Sequence, residues 1–205
     1  MVLNAIYDED FLGFSYGFRP RRGPHDALDA LAVAIGCRKV NYILDADVQN
    51  FFGSVSQDWL VRFLEHRVGD KRIIRLIRKW LKAGILEEGI VTVENRGTGQ
   101  GSVISPLLGN VYLHYVFDLW AGFEHESDAR RFLDAMRVRF EAFALSLHPD
   151  KTRVIEFGRF AAVDRMKRGL GKPETFNFLG FTHISGKNRR GHFQLVRKTR
   201  QSSKK

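Results

Sequence analysis

Residues 40–46, VNYILDA, make a short β-prone run that ends on acid, and no other stretch limits the possible folds as strongly. With Tyr42, Ile43 and Leu44 at its centre, the run suits a buried strand. One strand is not stable alone in water, so the chain must supply neighbours for it. The other β-prone runs are residues 152–157, 176–184 and 192–197, with a hairpin expected at 85–94 around Gly89. The remaining apolar residues follow helical spacing. Pro24 opens a helix with Ala27, Leu28, Leu31, Ala34 and Ile35 inward, and Gly36 is placed to stop it. Cys37 follows that apolar run and is read as a buried thiol. Ser56 reads as the N-cap of an amphipathic helix containing Trp59, Leu60, Phe63 and Leu64. Residues 71–82 put Ile73, Ile74, Leu76, Ile77 and Trp80 on an apolar side. Arg72, Arg75, Arg78, Lys79 and Lys82 cover much of the rest, a basic face that pattern alone reads as solvated. Ser105 can cap, and Pro106 start, a helix running to about residue 120. Phe132, Leu133, Met136, Phe140 and Phe143 mark another, and a basic linker covers residues 159–172. Strands and helices mix without strict alternation. The expected class is α+β, with helices on one face of a mainly antiparallel sheet.

Charge narrows the choice of partners. The chain has 33 Lys and Arg against 23 Asp and Glu, a formal net charge of +10. Such a surplus favours a polyanion, because each phosphate that the protein neutralises releases condensed counterions. A merely soluble basic protein is the plainer alternative. A single cysteine excludes an intramolecular disulfide framework and fits a reducing compartment. The opening MVLNAIYDEDF lacks the basic and apolar regions of a secretory signal, and no apolar run approaches a membrane span. A cytoplasmic, non-membrane protein is expected.

Two features carry chemistry. Asp45 and Asp47 stand two apart at the end of a predicted strand, where alternation puts both on one face. Paired carboxylates there suit Mg²⁺, which prefers oxygen ligands, but a turn-capping aspartate or a glycosyltransferase-type D-x-D fits the spacing too. The second feature is the glycine-rich loop 97–101 ahead of a helix. Its backbone N–H groups can approach a phosphate, although no G-K-[S/T] follows and a simple connector fits as well.

Order adds what spacing cannot. The segments FSYGFRPRRGPHDAL, DADVQNFFGSV, GTGQGSVISPLLGNVYLH, LHPDKT and FNFLGFTHI follow one another along nearly the whole chain. Together they resemble the successive sequence blocks of the reverse transcriptases encoded by group II introns. The resemblance implies a reverse-transcriptase-like palm with part of the fingers, working with Mg²⁺ on RNA, an RNA/DNA duplex and a deoxynucleoside triphosphate. By position, it makes Asp47 the first catalytic aspartate, with the backbone carbonyl of Val48 as a further metal ligand, while Asp45 is no ligand. Phe52 would pack under the incoming sugar. Gln100 and Gly101 would face the nucleotide, and Lys151 would assist the pyrophosphate leaving group. Arg19, Arg21 and Arg22 would touch phosphates, and Phe178, Leu179 and Gly180 would shape the primer grip.

One departure decides the expected activity. In the family, the helix after the glycine loop leads into a hairpin whose adjacent aspartates complete the metal site, and this sequence contains no Asp-Asp pair. Phe117–Asp118–Leu119–Trp120–Ala121 runs directly into Gly122–Phe123–Glu124, so the sheet is expected to be incomplete for want of the central catalytic hairpin. Gly53 stands where relatives carry aspartate, and Gly109 replaces a more usual alanine at a helix cost of roughly 0.5–1 kcal/mol. The expected organisation is a partial reverse transcriptase domain over residues 1–186 and a basic tail, 187–205, leading towards a thumb. The expected function is an RNA-directed DNA polymerase domain that is inactive alone, or a non-catalytic, maturase-like RNA-binding remnant. A chain that never folds, and a sugar-nucleotide enzyme, are the further alternatives.

Overall fold

The computed structural model describes residues 2–82, 85–87, 90–92, 96–98, 104–116 and 122–200. The first half contains α1 (Val2–Tyr7), α2 (Pro24–Cys37), β1 (Tyr42–Asp45), α3 (Phe51–Ser54), α4 (Gln57–Arg67), α5 (Lys71–Lys82), β2 (Ile85–Glu87) and β3 (Ile90–Thr92). The second contains α6 (Ser105–Val116), β4 (Gly122–Phe123), α7 (Glu126–Ala142), β5 (Arg153–Glu156), α8 (Ala161–Lys167), β6 (Phe176–Phe178), β7 (Phe181–Lys187) and β8 (Phe193–Thr199). Every strand pairing given is antiparallel, so the expected α+β class holds, but the described strands form three small sheets instead of one. The chain forms two compact units. One comprises residues 1–21, 48–119 and 136–148; the other comprises 22–47, 120–135 and 149–205. No helix among the described residues is long and apolar enough to cross a membrane.

In the second unit, the acid-tipped run is the middle strand of a sheet ordered β4-β1-β5. β5 covers all of β1, from Tyr42 opposite Glu156 to Asp45 opposite Arg153. β4 covers only Tyr42 and Ile43. Ile35, Val40, Ile43, Ile155, Phe157 and Phe176 pack as one buried cluster, joined by Leu31, Phe193 and Leu195. Gly158 (φ +117°) lets the backbone close on this core, since a Cβ there would stand 2.2 Å from the Val40 carbonyl oxygen. α2 begins where Pro24 predicts, and the Asp26 carboxylate accepts the Gly23 N–H at 2.7 Å. Cys37 is exposed rather than buried. It lies two residues past buried Ile35, about 200° round the helix, and so faces water.

Three further expectations change in this unit. Residues 176–184 form two strands, because Leu179 (φ 48°) and Gly180 (φ 81°) make a two-residue turn between Phe178 and Phe181. Positive φ at both positions is the type I′ geometry that matches strand twist. The basic run from Lys187 continues β7 and returns as β8, which pairs along the whole of β7. The run folds because Phe193 and Leu195 alternate towards the core while the charged residues stay outside. The basic linker contains α8, built from Ala161, Ala162, Val163 and Met166, which favour or tolerate helix.

The first unit is held by aromatic packing between α4 and α6. Phe63 lies against Tyr112, Tyr115 and Phe143 at ring separations of 5.4, 4.7 and 5.6 Å. Ser56 caps α4 as predicted, accepting the Trp59 N–H at 3.4 Å. α5 spans the predicted residues, and the 85–94 hairpin appears as β2 and β3. α6 begins one residue earlier than expected, with Ser105 inside the helix and buried. Its expected stretch beyond Val116 lies outside the described residues. Arg139 of α7 donates to the Tyr115 and Val116 carbonyls at 2.9 and 2.7 Å, serving acceptors that the last turn of a helix leaves open. α1 was not predicted. Its six residues bury Leu3 and Tyr7, an i, i+4 pair too short for a periodic signal.

His183 in β7 is fully buried, with its ring stacked 4.7 Å from Phe176. Burial, and then the charge of Arg197, pull its pKa below the usual 6.5. The neutral ring is therefore favoured in the fold. Its contribution is complete above the ordinary value and is lost as pH falls through the depressed one. Thermal unfolding is expected to show stability falling below about pH 6.5. The His183→Leu variant is expected to flatten that decline.

Candidate active site

Asp47 lies just beyond β1 and is exposed. The Thr152 hydroxyl holds its backbone on both sides, accepting the Asp47 N–H and donating to the Asp47 carbonyl, each at 3.4 Å. Lys151 Nζ stands 3.1 Å from the Asp47 carboxylate. The structure thus brings together two residues that the sequence assigned to different catalytic roles. Thr152 was missed, and the signal for it was its place beside Lys151 in L-H-P-D-K-T. Asp45, two residues earlier, is half-buried opposite Arg153. Burial holds its carboxyl above the usual range, with Arg153 opposing that shift and Asp47 adding to it. Among the described residues, no three His, Cys, Asp or Glu side chains cluster as a metal site. Val48 follows in the first unit, where its backbone bridges Leu147 and the Gln49 N–H donates to the Ser146 carbonyl at 2.8 Å.

The first unit also joins Phe52 to the start of the glycine loop. Thr98 N–H donates to the Phe52 carbonyl and Gly97 N–H to the Val55 carbonyl, both at 2.8 Å. Gly97 has φ +84°, and a Cβ there would stand 3.0 Å from the Phe52 carbonyl oxygen. Phe51 and Phe52 meet edge to face at 5.2 Å, and their ring edges fill the space where a Gly109 Cβ would stand 3.0 and 3.2 Å away. Gly109 therefore gives α6 a flat seat for the two rings, which sets its helix cost in context. Asn50 folds its side chain over Gly53, occupying the space of any Cβ there. Gln100 and Gly101, expected to face a nucleotide, lie outside the described residues.

The basic loop assigns its arginines unequally. The Arg19 side chain is only 4% exposed. Its guanidinium donates to Asp8 at 2.8 Å and to the carbonyls of Leu12 and Ser15 at 3.0 and 3.1 Å, so it organises the loop from within. That geometry does not fit the expected phosphate contact, because those donors already serve internal acceptors. Arg21 is exposed and Arg22 is half-buried. Phe178 and Leu179 stand out at the β6–β7 turn, 38% and 45% exposed.

Two substitutions test these local arguments. Arg19→Leu is expected to lower unfolding stability by roughly 2–3 kcal/mol in urea titration, the scale for losing hydrogen bonds to a charged group. Gly97→Ala is expected to cost about 1–2 kcal/mol from its left-handed backbone alone.

Comparison with known proteins places the chain in a family. Residues 1–183 match the family model described as reverse transcriptase (RNA-dependent DNA polymerase). An uncharacterised 91 kDa protein in the cob intron of Schizosaccharomyces pombe is 38% identical over 129 residues, 62% of this chain and 16% of that protein. The group II intron-encoded protein LtrA of Lactococcus lactis is 34% identical over 134 residues, 63% of this chain and 22% of its own length. Protein YkfC of Escherichia coli is 32% identical over 117 residues, 56% of this chain and 31% of its own. The matched segment thus spans less than a third of each of these relatives. With the family model covering most of the chain, this protein belongs to the reverse transcriptase family, and proteins encoded in introns are among its relatives.

Proposed function

We propose that this chain is a reverse-transcriptase palm, with part of the fingers, that keeps affinity for intron RNA and RNA/DNA duplex but does not polymerise alone. The observation that carries the reading is the donor set beyond β1. Family members generally use Mg²⁺. In-line nucleotidyl transfer of this kind uses two such ions to stabilise the attacking and leaving oxygens. Here Asp47 is a single exposed carboxylate with Lys151 beside it, and the sequence has no Asp-Asp pair to join it. The residues present do not fit two ions, even with the Val48 carbonyl counted, so no catalytic step is derived through them.

The sheet supports the same reading. β4 is two residues long and leaves Leu44 and Asp45 without a strand partner on that side among the described residues. In this proposal, β4 marks where a longer catalytic hairpin would stand, and no Asp-Asp occurs in the sequence that leads into it. Phe52, Gln100 and Gly101 are the proposed walls of a deoxynucleotide pocket. Phe178, Leu179 and Gly180 are proposed to touch the primer strand, and Arg21 and Arg22 to touch phosphates. The cytoplasm is the proposed compartment.

Primer extension on an RNA template, with Mg²⁺ and four deoxynucleotides, tests the catalytic half. No template-dependent product is expected, and a clear ladder would overturn it. Fluorescence anisotropy with a labelled RNA tests the binding half. Affinity is expected to fall steeply and linearly on a log–log plot against salt. Binding unchanged between low and moderate salt would contradict that half.

A further inference from the structure

α5 carries more charge than a solvated face needs, and the charge is ordered. At 100° per residue, Lys71, Arg72, Arg75, Arg78, Lys79 and Lys82 fall within one sector of roughly 120°. Ile74 and Ile77 are buried on the other side. Asp70 pairs with Arg72 and Glu65 with Arg78, each at 2.8 Å. Lys71, Arg75, Lys79 and Lys82 have no ion-pair partner among the described residues, so an uncompensated row runs about 16 Å along the axis. Two features border this sector. Beyond one edge, about 40° and 80° further round the helix, Leu76 and Trp80 are 45% and 48% exposed, an apolar shoulder that the fold leaves unburied. On the other lies a cavity of about 430 Å³, floored by Val68 and Ile74 and rimmed by Lys71, Arg75 and Arg78. Glu65 also reaches this cavity, with its charge met by Arg78.

We propose that this face of α5 is a sequence-independent docking site for an unpaired RNA segment. The four free cations grip successive phosphates, the cavity rim of Lys71 and Arg75 seats one of them, and a base stacks on Trp80. Charge complementarity selects a polyanion. The exposed indole beside the cations selects a single strand over a duplex, because only an unpaired base presents a free ring face. The assignment rests on the RNA affinity proposed above and locates it on the first unit alone.

The test uses the full chain and a labelled 20-mer of oligouridine, with an RNA duplex for comparison, followed by anisotropy across salt. The variant Lys71→Gln/Arg75→Gln/Lys79→Gln/Lys82→Gln is expected to flatten the log–log slope by about three units, from four phosphates at ~0.7 each. Trp80→Ala is expected to weaken oligouridine about tenfold and the duplex much less. Lys71→Arg/Lys79→Arg/Lys82→Arg keeps the charge and is expected to keep the slope; a slope lost there as well would overturn the proposal. A control neutralises Lys187, Arg189, Arg190 and Lys198 in β7 and β8. If the control removes binding while a folded α5 variant retains the parental slope, the α5 assignment falls and RNA affinity stands. If the parent binds neither RNA, both readings fall.

Discussion

Magnesium is held by hard oxygen ligands, and a pair of such ions needs several carboxylates converging within a few ångströms. In this chain the strand that aims at the site delivers one. β1 is fully paired with β5, which fixes Asp45 opposite Arg153 and leaves Asp47 just past the strand, tied through its backbone to Thr152. Among the described residues no metal-holding group of acidic, His or Cys side chains forms there, and Lys151 stands 3.1 Å from the Asp47 carboxylate. An exposed ion pair of that kind contributes at most about 1 kcal/mol.

The described residues near Asp47 and the glycine loop are held by packing and backbone hydrogen bonds. In the first unit, Gly97 turns through a positive φ so that the glycine loop can hydrogen-bond to Phe52 and Val55, and Gly109 makes room for the two phenylalanine rings. In the second unit, Phe157 and Phe176 close the core beside a glycine that no other residue could replace without moving Val40. Neither arrangement depends on a bound ion. In the first unit, Arg139 closes the described end of α6 in the same way, through hydrogen bonds to backbone carbonyls.

Much of this was legible in the residues. Apolar spacing located α2, α4, α5 and α7, and Pro24 and Ser56 marked their starts, because burial and capping are local and periodic. The ordered segments identified the family where composition could offer only a polyanionic partner. The failures were tertiary. Nothing near Arg19 announces that Asp8 and three loop carbonyls will enclose it, and nothing near Cys37 fixes its rotation round α2. The basic run after Lys187 looked like a tail around a short β-prone run at 192–197. That run is β8, and its alternation of Phe193 and Leu195 becomes decisive only against β7, which draws the flanking residues into the sheet. The Lys151–Asp47 pair spans 104 residues and is set by the register of β1 on β5, which no local pattern encodes.

Counting bound ions shows whether Asp47 can anchor a metal centre. Mn²⁺, a paramagnetic stand-in for Mg²⁺, can be titrated into the full chain and its bound fraction read by electron paramagnetic resonance. No stoichiometric binding is expected up to low millimolar metal, with the parent and Asp47→Asn indistinguishable. Two ions bound per chain, and lost in Asp47→Asn, would contradict that expectation.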